Sequence, residues 1–129
     1  MRWDDTINAV LGRLRSDTTL TDALGGDRIT RADTSATPQI PGITYQVTSS
    51  RRGENEETVF TRWDLRAPTL AEVVTIEEWL HADLDRTGME TLSGLPMWLE
   101  HVDAWDVPEA GAGVVQRTVL FRFRVLKES

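Results

Sequence analysis

A chain of 129 residues, 40% hydrophobic and 27% charged, has the size and balance of one globular domain and is too short for two ordinary cores. It contains no cysteine, which excludes a disulfide framework, a thiolate zinc site and a cysteine nucleophile together, and suits synthesis in a reducing cytoplasm. Its net charge of −7 disfavours tight binding of phosphate backbones, and no apolar run approaches the ~20 residues that span a bilayer.

Trp3, Ile7, Val10, Leu11 and Leu14 recur at helical spacing, behind the favourably placed acids Asp4 and Asp5, and predict an amphipathic first helix. Gly12 falls on the opposite face and reads as a tolerated surface glycine. Ser16 or Asp17 caps a short second helix, Thr18–Leu24, which Gly25-Gly26 ends. A short strand over Arg28–Ala32 follows, then a loop over Asp33–Gly42.

From Ile43 the pattern changes to period two, with Ile43, Tyr45 and Val47 against Thr44, Gln46 and Thr48. A charged tip, Arg51-Arg52-Gly53-Glu54-Asn55-Glu56-Glu57, leads into a second strand. Val59, Trp63 and Leu65 face inward there, and Thr58, Arg62, Asp64 and Arg66 face outward. Together they predict a long β-hairpin. Thr69 and Glu72 form a capping box for a helix reaching about Arg86, with Leu70, Val73, Ile76, Leu80 and Leu84 as its apolar stripe and Trp79 well off it. Met97–Val107 has apolar residues on both parities, a sign of two-sided burial or a bulge. Val114–Leu126 places Val119, Phe121, Phe123 and Val125 inward. The fold class that follows is α+β: one domain over residues 1–129, with an antiparallel sheet of four to five strands and helices on one face.

Little in the sequence points to chemistry. Glu78-Trp79-Leu80-His81 is an E-x-x-H step, with Glu77 one turn before His81, but dinuclear sites use that step twice and no second copy exists. No G-x-S-x-G elbow accompanies the histidines, and Gly25-Gly26-Asp27 and Gly111-Ala112-Gly113 lack the lysine of a phosphate loop. The expectation is therefore a protein with no catalytic residues, no metal and no cofactor. The five tryptophans are many for this length. Most would fill the core, but Trp79 is displaced from its helix's stripe, and tryptophan is enriched at interface hot spots. The candidate subunit interface comprises Trp79, the tip residues Arg51, Arg52, Glu54, Glu56 and Glu57, and the row Arg62, Asp64 and Arg66. The charged hairpin tip reads either as an arm that a neighbour grips or as a solvated loop.

Four stretches carry a family resemblance: Leu20–Leu24 with Gly25-Gly26-Asp27-Arg28-Ile29; Pro41-Gly42-Ile43-Thr44-Tyr45-Gln46-Val47; the hairpin leading to Thr69-Leu70-Ala71-Glu72; and Arg117–Leu126. In this order the chain resembles the tail terminator or tail-completion proteins of long-tailed bacteriophages and related particles. The resemblance implies a small α+β subunit that forms a ring, commonly a hexamer, on the head-proximal end of the tail tube. Such a ring stops tube polymerisation and offers a surface for head-tail joining. Its partners are further copies, the tail tube protein and the connector or neck proteins, with DNA only as passing cargo. Acidic side chains lining the lumen would let the duplex pass without trapping it. A neck or stopper protein of the same particle is an alternative, and a free-standing binding module with a ligand between sheet and helices is another.

Overall fold

The longer helices and strands form where the hydrophobic periods place them, and local caps bound two of the helices. The computed structural model describes residues 3–33, 39–108 and 110–126. In chain order the elements are α1 (Trp3–Ser16), α2 (Thr18–Leu24), β1 (Ile29–Arg31), β2 (Gly42–Arg52), β3 (Glu56–Ala67), α3 (Leu70–Leu84), β4 (Glu90–Leu92), β5 (Leu95–Val107) and β6 (Val115–Leu126). Asp17 is the N-cap of α2, its carboxylate accepting from the Thr19 and Leu20 N–H groups, and Gly25 ends that helix at φ 81°. The capping box of α3 is present: Thr69 Oγ1 accepts from the Glu72 N–H, and the Glu72 carboxylate accepts from the Thr69 N–H. α3 stops at Leu84, two residues before the expected end.

The six strands form one sheet in the order β1-β2-β3-β6-β5-β4. This corrects the expectation of a purely antiparallel sheet of four to five strands. β1 pairs with β2 in parallel, while every other pairing is antiparallel. β4 is the unforeseen strand. It has three residues, and it is folded back onto β5 by Ser93 and Gly94, both at positive φ as a two-residue hairpin turn requires. Bulges interrupt β2 at Thr48, between the pairs of Val47 and Ser49, and β5 at Val102, between those of His101 and Asp103. The bulge in β5 moves the inward set from the odd residues Met97 and Leu99 to the even residue Ala104, and puts Trp98, Trp105 and Val107 together on the opposite face.

All three helices pack over the same face of the sheet. Ile7, Val10 and Leu14 of α1, Leu20 and Leu24 of α2, and Val73, Ile76, Leu80 and Leu84 of α3 meet Ile43, Val59, Trp63, Leu65, Leu99, Val119, Phe121 and Phe123. Each fully buried side chain of this kind contributes about 1.5–3 kcal/mol. Trp63 is completely buried, and its indole N–H donates to Thr61 Oγ1 at 2.8 Å, which in turn donates to the Phe121 carbonyl at 2.8 Å. Two expectations fail here. Leu70 opens α3 at 58% exposure instead of joining its stripe, and among the described side chains only one tryptophan, Trp63, is in the core. The side chain of Trp3 and the loop residues 34–38 lie outside the described part.

Candidate assembly surfaces

The face of the sheet that carries no helix is built from the outward parity of β2, β3, β6 and β5. Pairing sets Thr44, Asp64 and Thr118 in one row across it, and Arg66 and Gln116 in the next. Although no helix covers them, Thr44, Asp64 and Thr118 are buried, because longer neighbours close over them. Asp64 Oδ1 accepts from Thr118 Oγ1 at 2.6 Å, from Gln116 Nε2 at 3.3 Å and from Arg62 Nε at 3.3 Å. Arg66 donates to Gln116 Oε1 at 3.1 Å and to Thr44 Oγ1 at 2.8 Å. The predicted row of Arg62, Asp64 and Arg66 is thus a connected polar network, with every member engaged within the subunit.

A second network continues along the same face. Glu100 accepts from Arg124 at 2.5 Å and from Arg122 at 3.2 Å, and Arg124 reaches Glu56 at 3.5 Å while stacking over the Trp98 ring at 4.7 Å. Burial opposes ionisation of Glu100, yet Arg124 and Arg122 together hold its carboxyl below the ordinary range. Arginines and acids alternate on this face and pair, so the acidic excess of the chain is carried elsewhere. Trp105, 39% exposed, sits on the same face beside Thr118. Sequence reasoning left Trp98 and Trp105 with no assigned face, because the bulge conceals their common orientation.

The tip residues do not form a detached arm. β3 is paired with β6 along its whole length, Glu56 with Leu126 through Ala67 with Val115, so only the turn at 53–55 lies past the paired strands. Arg51, Arg52 and Glu54 are exposed, whereas Glu57 is buried with Arg52 at 3.9 Å. Trp79 is 38% exposed on α3, across the molecule from the Arg62 row. Ala71, Val74, Thr75, Glu78 and Ala82 are exposed or half-buried on the same helix, leaving it a mostly apolar outer side. The candidate interface residues therefore fall on separate surfaces.

The fold brings together two histidines that the sequence left apart. The His81 and His101 rings lie 4.6 Å apart, both against Phe121, and His81 Nε2 is 3.2 Å from Glu77. Glu77 also pairs with Arg117. Glu78, the acid of the E-x-x-H step, is exposed and takes no part. Among the described residues, no three His, Cys, Asp or Glu side chains are placed to hold a metal ion. An open groove of about 680 Å³ separates the start of α1 from β2, lined by Asp4, Asn8, Arg31, Tyr45 and Ser50.

Both long edges of the sheet are partly open. β1 covers β2 only at Ile43–Tyr45, and β4 covers β5 only at Leu95–Met97. Among the described residues no strand pairs with the remaining outer edges.

No protein-family model matches this sequence, and no curated protein matches it. Among solved structures, a chain of the "Virion of native gene transfer agent (GTA) particle" superposes with a TM-score of 0.64 at 16% identity, covering 93% of each chain. The protein thus shares its fold, over nearly its whole length, with a subunit of that particle.

Proposed function

We propose that this chain is a structural virion protein of a phage or phage-like particle, acting as a ring at the head-proximal end of the tail tube. The observation that carries the proposal is the fold shared with a chain of a gene transfer agent virion over 93% of both chains. The ring, a hexamer by resemblance to tail terminators, ends tube polymerisation and presents a surface to the head connector. Its work is assembly without catalysis, and its partners are its own copies, the tube protein and the neck proteins. DNA passes through the lumen as cargo. The partly open sheet edges and the exposed apolar side of α3 around Trp79 support this reading, since each offers contact surface that the isolated subunit does not use.

Removing the gene from its particle tests the proposal. The expected phenotype is tails of irregular, extended length that fail to join heads, restored by the wild-type chain. Tails of normal length joined to heads would refute it. Overlong tails distinguish a terminator from a neck protein, whose loss leaves finished tails of correct length.

A further inference from the structure

The two open edges are complementary, and they point to how one copy meets the next. β2 and β5 run antiparallel to each other across the sheet, so the β5 edge of one subunit can receive the β2 edge of another in antiparallel pairing. The backbone alternation agrees. The Ile43 N–H and Tyr45 C=O face β1, and the Leu99 C=O faces away from β6 toward Arg86. Continuing past each bulge, the outward backbone groups belong to Val47 and Ser50 on β2 and to His101, Ala104 and Asp106 on β5. All of these are on the helix-covered parity. Pairing outward group to outward group therefore keeps every helix on the same side of a continuous sheet.

Charge selects the register. The open part of β2 ends in Arg51 and Arg52, of which Arg52 already pairs with Glu57, and the open part of β5 carries Asp103 and Asp106, of which Asp106 already pairs with Arg117 at 3.0 Å. With Ser50 opposite Ala104, Arg51 stands directly across from Asp103 on the helix-free face, and Val47 lies opposite Asp106. We infer that copies of this chain join through β2 and β5 in that register, a reading that rests on the proposed ring and specifies its contact.

The register has a geometric consequence. Within one subunit Ser50 shares a row with Leu99, through Val59 and Phe123, and Ala104 lies four rows further along. Each copy thus adds four strands, about 19 Å at ~4.8 Å spacing, and a stagger of four residues, about 14 Å at ~3.4 Å rise. The ratio sets a strand tilt of about 35°, whatever the number of copies, and closed barrels have tilts of roughly 35–45°. The short strands fit as well. A neighbour's β1 comes to lie past the end of β5, and β4 past the end of the neighbour's β2, so neither obstructs the joint.

The test is sedimentation velocity and native mass spectrometry of the purified chain over a concentration series. Arg51→Glu and Asp103→Arg are each expected to raise the concentration needed for assembly about tenfold, since a like-charge pair replaces an opposite one at every joint. The double variant restores wild-type assembly. Ser50→Pro removes an outward N–H and blocks assembly while leaving the monomer's melting temperature unchanged. If the proline variant misfolds, the charge-reversal cycle alone decides. Wild-type rings indifferent to all these variants would overturn the edge pairing and leave the ring standing. A wild-type chain that stays monomeric at every concentration and on tube ends would overturn both.

Discussion

Asp83 of α3 lies against Asp17, the N-cap of α2, and replacing it with asparagine is expected to stabilise the protein more as the pH rises. Asp83 Oδ2 is buried without a donor when both carboxyls are ionised. Burial, and then the Asp17 carboxylate, push the Asp83 carboxyl up to about 7 from its ordinary 3.8, against the weaker pull of Arg13 and Arg86. Asp17 shifts the other way, held down first by its hydrogen bond with Asp83 and also by the Leu20 and Thr19 N–H groups. The proton therefore resides on Asp83, donated to Asp17. A carboxyl with a raised folded pKa contributes stability that is fully present below pH 3.8 and is lost progressively as the pH climbs to about 7. Complete conversion would amount to about 4 kcal/mol. Asp83 as a whole is only partly buried, and solvent screening reduces this to about 1–2 kcal/mol. The amide of an asparagine in its place supplies the same donor at every pH. In urea denaturation, Asp83→Asn is expected to match wild type near pH 4 and to exceed it by about 1–2 kcal/mol above pH 7. A variant no more stable at pH 8, or one with an unchanged slope of stability against pH, refutes the shared-proton argument.

Three other outcomes follow from the packing. Asp64→Ala leaves Thr118, Gln116 and Arg62 without their common acceptor and is expected to cost about 2–3 kcal/mol by urea denaturation. Thr61→Val orphans the Trp63 indole N–H inside the core and should lower stability by about 1–2 kcal/mol, visible as a lower urea midpoint with an unchanged slope. Gly12→Ala meets nothing within 4 Å on the exposed side of α1 and is expected to raise stability by about 0.5–1 kcal/mol, read from the melting temperature.

Elements with several turns or several alternations of pattern were legible in the sequence. The α3 capping box, the inward rows of β3 and β6 and the β2–β3 hairpin rest on local signals, and the structure places them as read. β4 was not legible, because three residues carry no period and its existence depends on the Ser93-Gly94 turn meeting β5. The parallel pairing of β1 was equally hidden, since strand direction depends on the route of the loop before Gly42. Side chains that look solvent-facing by parity misled in another way. Asp64 and Thr118 alternate as surface residues, yet the network across three strands buries them. No local pattern reports that Arg66 reaches Thr44 and Gln116 from neighbouring strands. His81 and His101 met for the same reason, through tertiary packing on Phe121.

The bulges at Thr48 and Val102 bear on how a subunit of the proposed ring would survive before assembly. A flat, open strand edge is a template for any extended peptide, and a chain made in many copies would be exposed to indiscriminate aggregation. A kink in the middle of each open edge breaks the regular spacing of donors and acceptors after a few residues. A straight strand from an unfolded chain gains only a short ladder on either side of the kink, whereas in the inferred register the regular stretches 49–51 and 103–105 fall opposite each other between the two kinks. In the proposed ring, the irregularity that blurred β5 in the sequence would thus act as a filter on what can dock at either edge.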